Sequence, residues 1–78
     1  MNKARRKQLE EIQERLADTK GDLELLRDEE QEYIDNMPES LAGSERATQA
    51  ENAVSNMDDV ITSLEETGSL LEEASARE

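Results

Sequence analysis

The sequence predicts an all-α fold: an antiparallel, coiled-coil-like two-helix hairpin that dimerises into a four-helix bundle. Three observations lead there. Ala, Glu, Lys, Leu and Arg supply 41 of the 78 residues, a composition of long helices where a period of 3.5–3.6 residues accompanies it. Apolar residues recur with that period through both halves of the chain. Between the halves sits the only Pro, with a Gly five residues later. Residues 1–78 therefore read as one small domain.

The first helix is expected over residues 3–35. Leu9, Ile12, Leu16, Thr19, Leu23, Leu26, Glu30, Tyr33 and Met37 are spaced alternately by three and four, which places them on one helix face. Acids such as Glu10, Glu11, Glu14, Asp18, Asp22 and Asp28 fall off that face. Glu11 and Arg15 have the favourable acid-first spacing, worth about 0.2–0.5 kcal/mol. Gly21 is the weak point and a plausible bend, costing about 1 kcal/mol against Ala.

The connector spans residues 36–44. Pro38 disfavours helical geometry at Met37 and lacks a backbone donor. Gly43 suits a positive φ, and Ser44 suits an N-cap with Glu45 in the first turn behind it. Leu41 is expected to fold back over the hairpin end.

The second helix is expected over residues 45–76, and from residue 50 it reads in sevens as AENAVSN, MDDVITS, LEETGSL, LEEASAR. Its seam is Ala47, Ala50, Val54, Met57, Ile61, Leu64, Gly68, Leu71 and Ser75, widened on one flank by Ala53, Val60, Thr67 and Ala74. Antiparallel pairing around the turn sets residues whose numbers sum to about 83 opposite each other. Met37 and Tyr33 then meet Ala47 and Ala50, Leu26 meets Met57, Leu23 meets Ile61, and Leu16 meets Gly68, with Glu30 opposite Val54 as a polar fault. The same pairing sets the basic Lys3, Arg5, Arg6 and Lys7 beside Glu72, Glu73 and Glu78, so that ends mis-signed for their own helix dipoles compensate each other.

Two helices bury one stripe each, which is little core for a free-standing unit. Self-association is therefore expected, as a two-fold dimer through Ala53, Val60, Leu64, Thr67, Leu71 and Ala74. A partner protein could supply the same cover.

Charge and inventory bound the function. The chain carries 9 Lys+Arg against 21 Asp+Glu, a net charge of −12, with no Cys, no His and Tyr33 as the one aromatic. Zinc sites, Cys nucleophiles and Ser–His triads are excluded by residue type, and no enzyme or cofactor is expected. No apolar run is long enough to span a bilayer, and no apolar stretch follows the basic start, so neither a membrane nor a secretory signal is expected.

Acid clusters are the remaining candidates for chemistry. From Asp18 to Glu29 the acids loosely follow a calcium loop, but Lys20 and Leu23 occupy positions that need an acid and a Gly. No metal site is expected there. A carboxylate acting as acid or base needs a pocket, which a thin hairpin does not offer. The sharper feature is on the second helix. Glu51, Asp58, Glu65 and Glu72 recur every seven residues, as do Asp59, Glu66 and Glu73. Each step advances about 10.5 Å along the axis. These rows serve either as a solvated coiled-coil surface or as a face that occupies a basic groove on another protein. The basic start lacks interleaved aromatics, and direct nucleic-acid binding is not expected.

The connector Asn36-Met37-Pro38-Glu39-Ser40-Leu41, the following Gly43-Ser44-Glu45-Arg46, the basic start Met1-Asn2-Lys3-Ala4-Arg5-Arg6-Lys7 and the acidic heptads together form a pattern. It resembles small uncharacterised acidic proteins encoded by bacteriophages and prophages of Gram-positive bacteria. That resemblance implies a phage-encoded protein in the host cytoplasm that binds a host protein, defence nucleases included. It carries over no catalytic residue.

Overall fold

A computed structural model describes residues 1–76. Helix α1 spans Lys3–Asp35, a single 3₁₀ turn covers Glu39–Leu41, and helix α2 spans Glu45–Ala76. Both helix boundaries coincide with those expected from the sequence.

Each boundary has a local cause. Asn2 is extended, and its side-chain oxygen accepts from the Arg5 amide at 2.8 Å, so α1 starts on an N-cap. At the other end the Asn36 amide donates to Glu32 O at 3.0 Å and the Met37 amide to Ile34 O at 3.1 Å. The chain then reaches Pro38, which cannot extend the helix. Gly43 takes φ 80°, a left-handed conformation that L side chains rarely adopt. Ser44 follows as the cap of α2, its hydroxyl oxygen accepting from the Ala47 amide at 3.2 Å.

The helices pack antiparallel into a rod of 60 × 14 × 12 Å. Arg27 reaches Asp58, Lys20 reaches Glu65, and a Cβ at Gly68 would lie 3.9 Å from Leu16 Cδ2. The numbers in those pairs sum to 84 or 85, close to the expected register. α1 runs through Gly21 as one continuous helix.

On α2 the seam is the expected one. Ala47, Ala50 and Ile61 are 3–5% exposed, and Val54, Met57, Leu64, Gly68, Leu71 and Ser75 are half-buried. On α1 half of the expected seam is displaced. Leu9, Leu16, Leu23, Glu30 and Met37 are half-buried as anticipated. Their companions, however, are Arg6, Gln13, Lys20, Arg27 and Ile34, which are also half-buried at seven-residue spacing. Ile12, Thr19, Leu26 and Tyr33 are exposed instead. Leu26 and Tyr33, at 55% and 44% exposed, therefore lie at the edge of the helix contact rather than in its centre.

The reason is a choice between two columns. The apolar stripe of α1 is wider than one neighbouring helix can cover, because Ile34 lies on one side of the Leu9–Leu16–Leu23 line and Ile12, Leu26 and Tyr33 lie on the other. The observed rotation brings Lys20 and Arg27 to acids of α2 while their aliphatic stems cover the seam. An inventory of apolar positions along α1 alone does not contain that interhelical pairing.

Candidate protein-binding surfaces

The acidic rows of α2 occupy two environments. Asp58 and Glu65 flank the seam and face α1. The Arg27 guanidinium donates to Asp58 Oδ1 at 2.9 Å and also to Asp28 Oδ1 at 3.1 Å. Lys20 Nζ lies 3.5 Å from Glu65 and 3.8 Å from Glu24. Arg27 is held above its ordinary pKa, first by the hydrogen bond to Asp58 and then by the one to Asp28. A raised value means that this contribution is complete below the ordinary guanidinium pKa and is lost only as pH rises through the raised one. It does not vary near neutrality. These side chains keep solvent contact, so the pairs add little to stability and mark the edge along which α1 and α2 meet.

Asp58 and Glu65 are thus engaged within the hairpin. Glu51 and Glu72 continue the same row and are exposed. Asp59, Glu66 and Glu73 lie one position further from the seam and are exposed. From residue 47 to 76, every charged side chain of α2 lies in these two rows, which stand about 100° apart around the helix with Ser55, Thr62 and Ser69 between them. The opposite flank is uncharged.

The candidate self-association residues also divide. Leu64 and Leu71 are half-buried members of the intramolecular seam, and Ala53 is half-buried beside it. Val60, Thr67 and Ala74 are exposed on the uncharged flank. The Thr67 hydroxyl donates to the Ser63 carbonyl at 2.8 Å, so its methyl group is what the surface presents.

Two features were missed in the sequence. Lys20 and Arg27 are one; they recur at seven residues opposite acids that also recur at seven, and cross-helix pairing of opposite charges would have found them. The other is a groove at the connector, with an apolar floor of Tyr33, Met37, Pro38 and Leu41 and with Glu29, Glu32, Asn36 and Arg46 also lining it. Leu41 lines it from the 3₁₀ turn, in keeping with its expected return over the hairpin end.

At the far end Lys3, Arg6, Lys7 and Glu10 line a shallow hollow. The expected partner Glu78 of the basic start lies outside the described residues. Among the described residues no group of three or more Asp or Glu is placed to hold a metal ion, and no helix is long and apolar enough to cross a membrane. No family model matches the chain, and neither a curated protein nor a solved structure matches it.

Proposed function

We propose that this hairpin is a non-enzymatic protein-binding module, phage-encoded and working as a homodimer in the host cytoplasm, that binds a host protein through a basic surface and inhibits it. The observation that carries this reading is the sorting of charge on α2. Seven acids stand in two heptad-spaced rows, and no other charge occupies the helix from residue 47 to 76. Solubility alone needs no such sorting, since scattered acids solubilise equally well. A charged ridge on a rigid rod steers association with a basic groove and speeds encounter. The phage origin is supported by the resemblance carried by the connector and the basic start, and the inhibitory role is the expectation that small acidic phage proteins as a class bring with it.

A second reading is a scaffolding subunit with no inhibitory role, and the exposed Ile12, Leu26 and Val60 favour it. Charge reversal separates the two. Asp59→Lys with Glu66→Lys changes the outer row and spares Asp58 and Glu65, which hold α1. In a pull-down from host lysate, the wild-type chain should retain a basic protein at low salt and lose it at high salt. The double variant should lose it at both while keeping full helicity by circular dichroism. Undiminished capture by the variant would overturn the acidic-face reading. Capture lost only when Leu26 or Val60 becomes charged would support the scaffold.

A further inference from the structure

We infer that one long face of the rod, carrying Ile12, Leu26 and Tyr33 of α1 beside Val60, Thr67 and Ala74 of α2, binds a second copy of this chain and so closes a four-helix bundle. The inference rests on the self-association proposed above and assigns it a surface.

Two ion pairs establish that these residues share a face. Lys20–Glu65 and Arg27–Asp58 mark one edge of the helix pair. Ile12, Thr19, Leu26 and Tyr33 lie on the other side of the α1 seam from Lys20 and Arg27. Ala53, Val60, Thr67 and Ala74 lie on the other side of the α2 seam from Asp58 and Glu65. In an antiparallel pair those two columns must meet along the opposite edge. The grooves agree with this assignment. Tyr33 shares one with Arg46, which stands seven residues before Ala53, whereas Lys20 shares another with Glu65.

The face is apolar and open. Ile12 is 39% exposed, Tyr33 44%, Val60 48% and Leu26 55%. Thr19 and Thr67 near its centre donate their hydroxyls to the carbonyls of Arg15 and Ser63, at 2.9 and 2.8 Å, and so present methyl groups. Four large exposed apolar residues aligned on one face mark an association site.

Charge selects the occupant. A second copy brings another net charge of −12, which opposes contact wherever acids would meet. On this face α2 offers no acid, and the column beyond it, Gln49, Asn56, Ser63 and Leu70, is also uncharged, while the α1 column that borders the face mixes Arg15 with Asp22 and Glu29. Both acidic rows of each copy then point away from the junction. A basic partner would be drawn instead to those rows.

Area agrees. The chain exposes 5934 Å², whereas a compact folded monomer of 8.8 kDa exposes roughly 4,800 Å². A face of 60 by 14 Å projects roughly 800 Å², about one partner's share of a standard specific interface.

The test uses the full chain, which has no Cys of its own, so single Cys variants label cleanly. Sedimentation equilibrium should give twice the chain mass of 8.8 kDa. A nitroxide on Thr67→Cys should become immobilised as concentration rises through the dimer dissociation constant, while one on Leu25→Cys stays mobile. Leu26→Glu should raise that constant at least about tenfold, and Leu25→Glu should leave it unchanged. A chain that stays monomeric at all concentrations would overturn self-association and this face with it. A dimer in which the Thr67 label stays mobile and the Leu25 label is immobilised would overturn the face alone.

Discussion

Gly21 and Gly68 both interrupt good helix-forming sequence, and their surroundings differ. A Cβ at Gly21 would meet nothing within 4 Å, because the residue lies on the solvent side of α1. Gly21→Ala should therefore gain close to the full propensity difference, about 1 kcal/mol. At Gly68 the added methyl would sit 3.9 Å from Leu16 Cδ2, an ordinary van der Waals contact. Gly68→Ala should stabilise by a similar ~1 kcal/mol. Gly43 is the opposite case, since its φ of 80° strains any L side chain, and Gly43→Ala should cost about 1–2 kcal/mol. Urea melts followed by circular dichroism would rank the three variants against the wild type. If Gly68→Ala melts earlier than the wild type, the groove beside Leu16, Lys20 and Glu65 is already filled in solution. The reading of Gly68 as room for Leu16 was legible in the sequence because both residues sit in heptads with a fixed register. The gap left at that contact was not, because it depends on a side-chain rotamer.

At the scale of the element, helix ends were legible and helix rotation was not. Caps are local: Ser44 precedes Glu45, and Gly43 and Pro38 bracket the connector, so a few adjacent residues specify the boundary. The N-cap of α2 should repay a direct measurement. The Ser44 hydroxyl oxygen accepts from the Ala47 amide, and Ser44→Ala leaves that donor to solvent, at a cost of about 1 kcal/mol. Ser44→Asp should recover most of it, because an acid at that position also complements the dipole. Failure of the Asp variant to recover stability would mean that the cap bond is not what Ser44 contributes. Rotation of α1, by contrast, is a property of the pair. Ile12, Leu26 and Tyr33 form an apolar column interrupted by Thr19, and the spacing alone places it inside. The column that α2 covers contains Arg6, Gln13, Lys20 and Arg27, three of them cations in a chain whose second helix is acidic. Long basic side chains bury their stems and reach out to acids at the edge, so a column can be interfacial without being apolar. The candidate site was affected in the same way. The spacing of the acidic rows was legible; that Asp58 and Glu65 turn inward to α1 depended on the rotation.

For the whole molecule, two opposing electrostatic effects can be weighed by changing salt. Lys20–Glu65 and Arg27–Asp58 attract across the seam, at 3.5 and 2.9 Å. Against them stand 21 acids facing 9 cations in a rod only 14 by 12 Å across. At low ionic strength the Debye length, about 30 Å at 0.01 M, exceeds that width, so charges on every side of the rod repel one another. In high salt it falls to about 3 Å at 1 M, and the long-range repulsion vanishes before the contact pairs do. The exposed pairs are worth little to begin with. Salt should therefore stabilise this chain, raising its melting temperature on the order of 5 °C, the shift that about 1 kcal/mol produces in a domain this small. A dimer joined through the uncharged face should show the rise more steeply, because salt also screens one copy's rows from the other's. Melts at a series of sodium chloride concentrations, repeated with sodium sulfate at matched ionic strength, would separate screening from the strengthening of apolar burial by sulfate. If the melting temperature fell with salt, the two ion pairs would outweigh the net charge, and the rod would be held by the edge that turns α1 rather than by its apolar seam.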